Sequence, residues 1–93
     1  MSKKLLVLLG VVVIGLYIIY GGPALRLASK NGSTKIVKAL INIGAKVNAK
    51  DIYGTTALML ASGKGKTETV KLLIDAGANV NAKNKWNGME ILL

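Results

Sequence analysis

A 33-residue internal repeat constrains this chain more than any other feature. ALRLASKNGSTKIVKALINIGAKVNAK, read from Ala24, lies over ALMLASGKGKTETVKLLIDAGANVNAK, read from Ala57, and 17 of the 27 aligned positions are identical. Self-similarity at a fixed period of this size is the signature of a solenoid, in which each unit is one supersecondary element stacked on the next. A single unit cannot bury its own apolar face, so the units must share one. Stacks of this type as a rule bind other macromolecules and rarely carry out chemistry.

Each unit reads as two short helices. Thr56 to Lys64 and Thr67 to Ala76 are helical windows, and Val70, Leu73 and Ile74 recur at i, i+3 and i+4 as one apolar stripe. Val37, Leu40 and Ile41 repeat that stripe one period earlier, and both sets are expected in the core. Gly32 and Gly65 fall between the paired helices, where a tight turn calls for positive φ. Gly44 and Gly77 suit the left-handed residue that closes a helix. Ser33, Thr34 and Thr67 are candidate N-caps of the second helices. Beyond them, Val47 to Asp51 and Val80 to Asn84 carry the Asn/Asp chemistry of an extended finger and turn.

The middle unit resembles the ankyrin repeat. Asp51 to Ala61 follows that family's opening, D-x-x-G-x-T-P-L-H-x-A, with Ala57 and Met59 where the family favours Pro and His. Val70 to Ile74, followed by Gly77 to Ala82, is similar to its second helix and closing hairpin. The earlier unit departs more: Pro23 and Arg26 stand where the second unit has Thr56 and Met59, although Tyr20-Gly21 still aligns with Tyr53-Gly54. The resemblance implies an all-α fold: a short solenoid of antiparallel helix pairs with finger turns. Its repeats span about residues 21–50 and 51–83, with a partial third at 84–93 in which Asn87 is an inserted residue. That third unit ends in the apolar Ile91-Leu92-Leu93, a poor cap, so the chain also reads as a fragment of a longer array or as a protein completed by a partner.

An N-terminal hydrophobic helix precedes the repeats. Lys3 and Lys4 are followed by Leu5 to Tyr20, sixteen residues with no charged side chain. At about 1.5 Å per residue these span roughly 24 Å, short of a hydrocarbon core of about 30 Å. Gly21-Gly22-Pro23 argues against extending the helix. The lysines can snorkel at one edge, Tyr17 and Tyr20 suit the other interface, and local thinning covers the mismatch. The favoured expectation is a membrane anchor over residues 1–20 and an interaction domain over 21–93, a single-pass arrangement. The alternatives are a secretory signal cut at Gly22-Pro23-Ala24, leaving a secreted repeat protein, and a core helix standing in for a missing unit. Arg26, Lys30, Lys35 and Lys38 place the repeats on the cytoplasmic side by the positive-inside rule, while Lys3 and Lys4 pull the other way.

Composition removes most chemistry. The chain has no Cys and no His, and its four acids, Asp51, Glu68, Asp75 and Glu90, have no spacing that makes a catalytic dyad. No catalytic, metal or cofactor residue is expected. Gly63-Lys64-Gly65 sits between two helices rather than after a strand, so it reads as an inter-helix turn and not as a phosphate loop.

Thirteen Lys/Arg against these four acids make the chain strongly basic. The plain reading is a solvated surface; the sharper ones are attraction to anionic lipid beside the anchor and an acidic protein partner. Nucleic acid is disfavoured, because Tyr17, Tyr20, Tyr53 and Trp86 are the only aromatic groups and two of them belong to the apolar segment. In proteins this chain resembles, partners contact finger tips and the first-helix face. That implies a protein-binding, non-enzymatic module using Ile52, Tyr53, Thr55, Met59 and Lys64, with Arg26, Lys30 and Asn31 from the first unit and Trp86 on the last finger. Packing between neighbouring fingers is the competing role for Tyr53 and Trp86, and inter-repeat core the competing role for Met59.

Overall fold

The computed structural model describes residues 2–86. Five helices follow one another: α1 (Lys3–Tyr20), α2 (Pro23–Asn31), α3 (Thr34–Asn42), α4 (Ala57–Gly63) and α5 (Thr67–Asp75). Helices α2 and α3 pack as one pair and α4 and α5 as the next; α2 lies on α4, and α3 on α5. The described residues contain no strand. This is the expected all-α stack of helix pairs, with an N-terminal apolar helix before it. The expected third unit lies outside the described residues beyond Trp86.

Ends of helices follow from a few backbone positions. Gly32 and Gly65, in the turns within each pair, have φ of 71° and 67°, and Gly44 and Gly77, after the second helices, have 96° and 95°. Without a Cβ, glycine occupies this left-handed region at no steric cost. Helix α1 stops at Gly21, and Gly22, at φ 109°, turns the chain so that Pro23 opens α2 with its ring already preset for a helix.

The caps differ from expectation in an instructive way. Ser33 stands at the N-cap of α3 but its hydroxyl makes no capping bond, Thr34 is already helical, and Lys66 rather than Thr67 precedes α5. The cause is the tightness of the turn. Ser33 N–H donates to Ala28 O at 3.0 Å and Lys66 N–H to Ala61 O at 2.9 Å, so each of these residues is closing the preceding helix. That leaves ψ near 79° and 74°, whereas Thr56, at ψ 166°, turns its Oγ1 over the helix end and accepts from Met59 N–H at 3.3 Å. Ser2 does the same for α1, accepting from Leu5 N–H at 3.2 Å.

The core lies between the pairs. Leu25, Val37 and Leu73 are fully buried, joined by Leu40 and by four alanines, Ala28, Ala45, Ala57 and Ala61. Ala28, Ala57 and Ala61 let α2 and α4 approach closely, while each buried Leu or Val contributes about 1.5–3 kcal/mol of transfer free energy. The expected stripe is partly corrected. Val70 packs against the core, but Ile74 is 44% exposed. Its counterpart Ile41 packs against the core. The next helix pair covers that side of α3; on the same side of α5 the described residues supply no helix pair.

Helix α1 stands apart. All its side chains from Leu5 to Ile18 are exposed, and only its last turn reaches the stack, through Ile19 against the core and a 2.9 Å bond from Lys46 N–H to Tyr20 O. It is long and apolar enough to cross a membrane by length and composition.

Candidate functional site

The fingers are built from short polar side chains bonding to nearby backbone. Asp51 Oδ1 accepts from Tyr53 N–H at 2.8 Å and Thr55 N–H at 2.9 Å. Asn84, one repeat later, accepts from Trp86 N–H at 2.9 Å. Each is an Asx turn, which fixes a tip without any core. Asn48 then ties the two fingers together: its amide donates to Gly77 O at 3.0 Å and its Oδ1 accepts from Asn79 N–H at 2.7 Å. Lys85 N–H adds a 2.7 Å bond to Tyr53 O.

These turns bring Tyr53 and Trp86 together. The two are one repeat period apart and so occupy the same place on successive fingers. Their ring centroids are 5.4 Å apart with planes tilted by 35°, within the range favoured by aromatic quadrupoles. Both rings remain exposed on their other sides. The competing roles therefore coincide: the pair packs finger to finger and still presents an aromatic edge.

Between the fingers and the first-helix face runs a groove of about 680 Å³. Six of the nine expected contact residues line it: Lys30, Tyr53, Thr55, Met59, Lys64 and Trp86. Met59 is half-buried there, at once packed and accessible. The other three do not line it. Ile52 is 88% exposed at the finger tip, Asn31 is exposed at the end of α2, and Arg26 folds against Gly22 with its Nη1 buried. Sequence reasoning missed Leu58, Leu60 and Val80, which form much of the groove's apolar lining. Leu58 and Leu60 are two apolar residues within a helical window and carry no separate signal in the sequence. Val80 carried a signal, an apolar residue among Asn and Ala on a finger.

Among the described residues no group of three His, Cys, Asp or Glu is placed to hold a metal ion. The groove offers an aromatic wall, an apolar floor and basic rims at Lys30 and Lys64, a surface for recognition. A family model for ankyrin repeats, in three copies, matches residues 4–84, beginning inside α1. No curated protein matches the chain.

Proposed function

The chain belongs to the ankyrin-repeat family, a class of protein-interaction modules, and on that premise we propose that it is a membrane-tethered, non-enzymatic adaptor. The observation that carries the binding role is the groove itself, with Tyr53 and Trp86 stacked on one side and Leu58, Met59 and Leu60 along the first-helix side. Paired aromatics held by rigid turns are effective anchors for a partner. Lys30 and Lys64 on the rims favour an acidic protein segment. Ile52 and Asn31, both exposed, are open to secondary contacts, whereas Arg26 has its Nη1 buried against Gly22.

The tether is α1. Its 18 residues extend about 27 Å, of which the apolar Leu5 to Tyr20 supply about 24 Å, short of a hydrocarbon core of about 30 Å by an amount that local thinning covers. A water-exposed helix with this much apolar surface calls for a covering medium. The signal-peptide reading is weaker on geometry: cleavage after Ala24 removes the N-cap Gly22 and the first two residues of α2, the second of them next to buried Leu25.

A photo-crosslinking amino acid placed at Tyr53 or Ile52, and as a control at Ile74, tests the adaptor role in membranes carrying the full chain. The expected result is one protein captured from the groove positions and absent from the control. Capture of the same mixture at all three positions overturns it. Retention of the chain in membranes after carbonate extraction tests the tether separately.

A further inference from the structure

Positions that the repeat makes equivalent differ sharply in exposure between the two helix pairs. Thr69 is 1% exposed; Ile36, one period earlier, is 54%. Leu60 and Ala76 are half-buried, whereas Leu27 and Ile43 are exposed. Each pair contains the same internal partners, so the difference comes from the neighbouring pair: the first pair covers this side of the second. The side of the first pair facing away from the second is therefore open, and it is more apolar than its covered counterpart, with Ile in place of Thr and Ile in place of Ala. Ile36 and Ala39 on α3 and Ile43 at its C-cap stand at i, i+3 and i+7, one stripe, and all three are exposed.

Charge is unevenly distributed in the same direction. Residues 1–50 hold eight Lys/Arg and no acid, while all four acids of the chain lie at or beyond Asp51. Lys35 precedes Ile36 on α3 and lies beside the stripe, Lys46 follows it, and Lys38 lies farther round the helix. The end of α1 is fixed at the same corner: Tyr20 O accepts from Lys46 N–H at 2.9 Å, and a Cβ on Gly44 would lie 3.8 Å from the Tyr20 ring. Ile43 is thus one residue from the point where the apolar helix joins the stack.

We infer that the open side of the first repeat, Leu27, Ile36 and Ile43 with the basic Lys35 and Lys46 near it in sequence, seats on the surface of an anionic lipid bilayer. This rests on α1 lying in that bilayer, and it adds that the repeats lie against the membrane rather than hanging from a tether. Apolar side chains enter the headgroup boundary while lysines meet anionic lipid. The seated side is away from the second helix pair, which leaves the Tyr53–Trp86 groove accessible to a protein.

The chain has no cysteine, so single labels are clean. Ile36→Cys and Ile43→Cys, with Ile74→Cys and Val80→Cys as exposed controls at the other end, are each labelled with an environment-sensitive fluorophore. The full chain is placed in phosphatidylcholine vesicles with and without phosphatidylserine. With phosphatidylserine, the labels at 36 and 43 shift to the blue and lose most of their emission to a lipid-borne quencher, while those at 74 and 80 do neither. Adding Lys35→Glu and Lys46→Glu, both at exposed positions, returns the first two labels to water without releasing α1 from the membrane. Aqueous labels at 36 and 43 in a chain that resists carbonate extraction overturn the seating and leave the anchor standing. Loss of the chain from the vesicles overturns both. Protection at 36 and 43 without lipid quenching, together with crosslinking between copies, assigns the face to a second copy and overturns the seating.

Discussion

Asn48 holds Asn79 across the two fingers, its Oδ1 accepting from the Asn79 N–H at 2.7 Å while its amide nitrogen donates to Gly77 O at 3.0 Å. One exposed side chain thereby satisfies two backbone groups of the next repeat. The link is independent of the apolar core, and it sets the distance between the tips that carry Tyr53 and Trp86.

Asn48→Ala removes both bonds and is expected to destabilise the stack by about 1–3 kcal/mol. Asn48→Asp keeps the acceptor for Asn79 N–H but loses the donor to Gly77 O, so its melting temperature falls between wild type and alanine. Thermal unfolding of the full chain in detergent micelles, followed by circular dichroism, orders the three. Aspartate melting below alanine contradicts the shared-bond account.

Thr69 and Ser29 are buried with hydroxyls that make no hydrogen bond. Thr69→Val keeps the branched shape and removes the desolvated oxygen. It should raise stability by about 1 kcal/mol, because a buried unsatisfied hydroxyl costs that much or more. A lower denaturation midpoint in urea is the result that excludes this reading.

Leu73 and Ile74 are adjacent on α5 and separate core from surface. Leu73 is fully buried, so Leu73→Ala is expected to cost about 2–5 kcal/mol, enough to threaten a domain this small. Ile74→Ala should cost less than half as much. Equal losses in urea unfolding would place Ile74 in the core after all.

Gly54 and Gly65 both have positive φ, 79° and 67°, but differ in surroundings. A Cβ on Gly65 meets open space, so Gly65→Ala costs only the backbone term of about 1 kcal/mol. On Gly54 it lies 3.2 Å from the Cα of Asn84, and Gly54→Ala must also displace the neighbouring finger. The expected order of melting temperatures is wild type, then Gly65→Ala, then Gly54→Ala, with weakened Tyr53–Trp86 stacking, read from tryptophan fluorescence, in the last alone.

Tyr53→Ala and Trp86→Ala, alone and together, form a double-mutant cycle. The rings' coupling is expected at about 0.5–1.5 kcal/mol, toward the lower end because both are partly exposed. A coupling of zero in thermal unfolding means that the contact adds nothing to the folded state.

Much of the architecture was legible in the residues. The helical windows Thr56 to Lys64 and Thr67 to Ala76 end within a residue of α4 and α5 and their caps, and the glycines expected at turns take positive φ. These features are local: a short apolar period, a left-handed residue, an Asx turn. The candidate contact residues were legible as positions on fingers and first helices, and six line one groove. Capping was misread where one residue serves two helices at once, as Ser33 does.

Burial was not legible. Ser29 and Ser62 are the same residue at the same place in successive repeats, yet Ser29 is buried and Ser62 exposed. Ile41 packs against the core and Ile74 does not; Thr69 is covered and Ile36 is not. A helix and its turns arise from bonds among residues a few positions apart, so the one-dimensional pattern specifies them. Exposure depends on which unit lies alongside, and identical neighbours in sequence acquire different neighbours in space. The stacking of two unequal ends therefore settles which apolar residues hold the repeats together and which are left for a membrane or a partner.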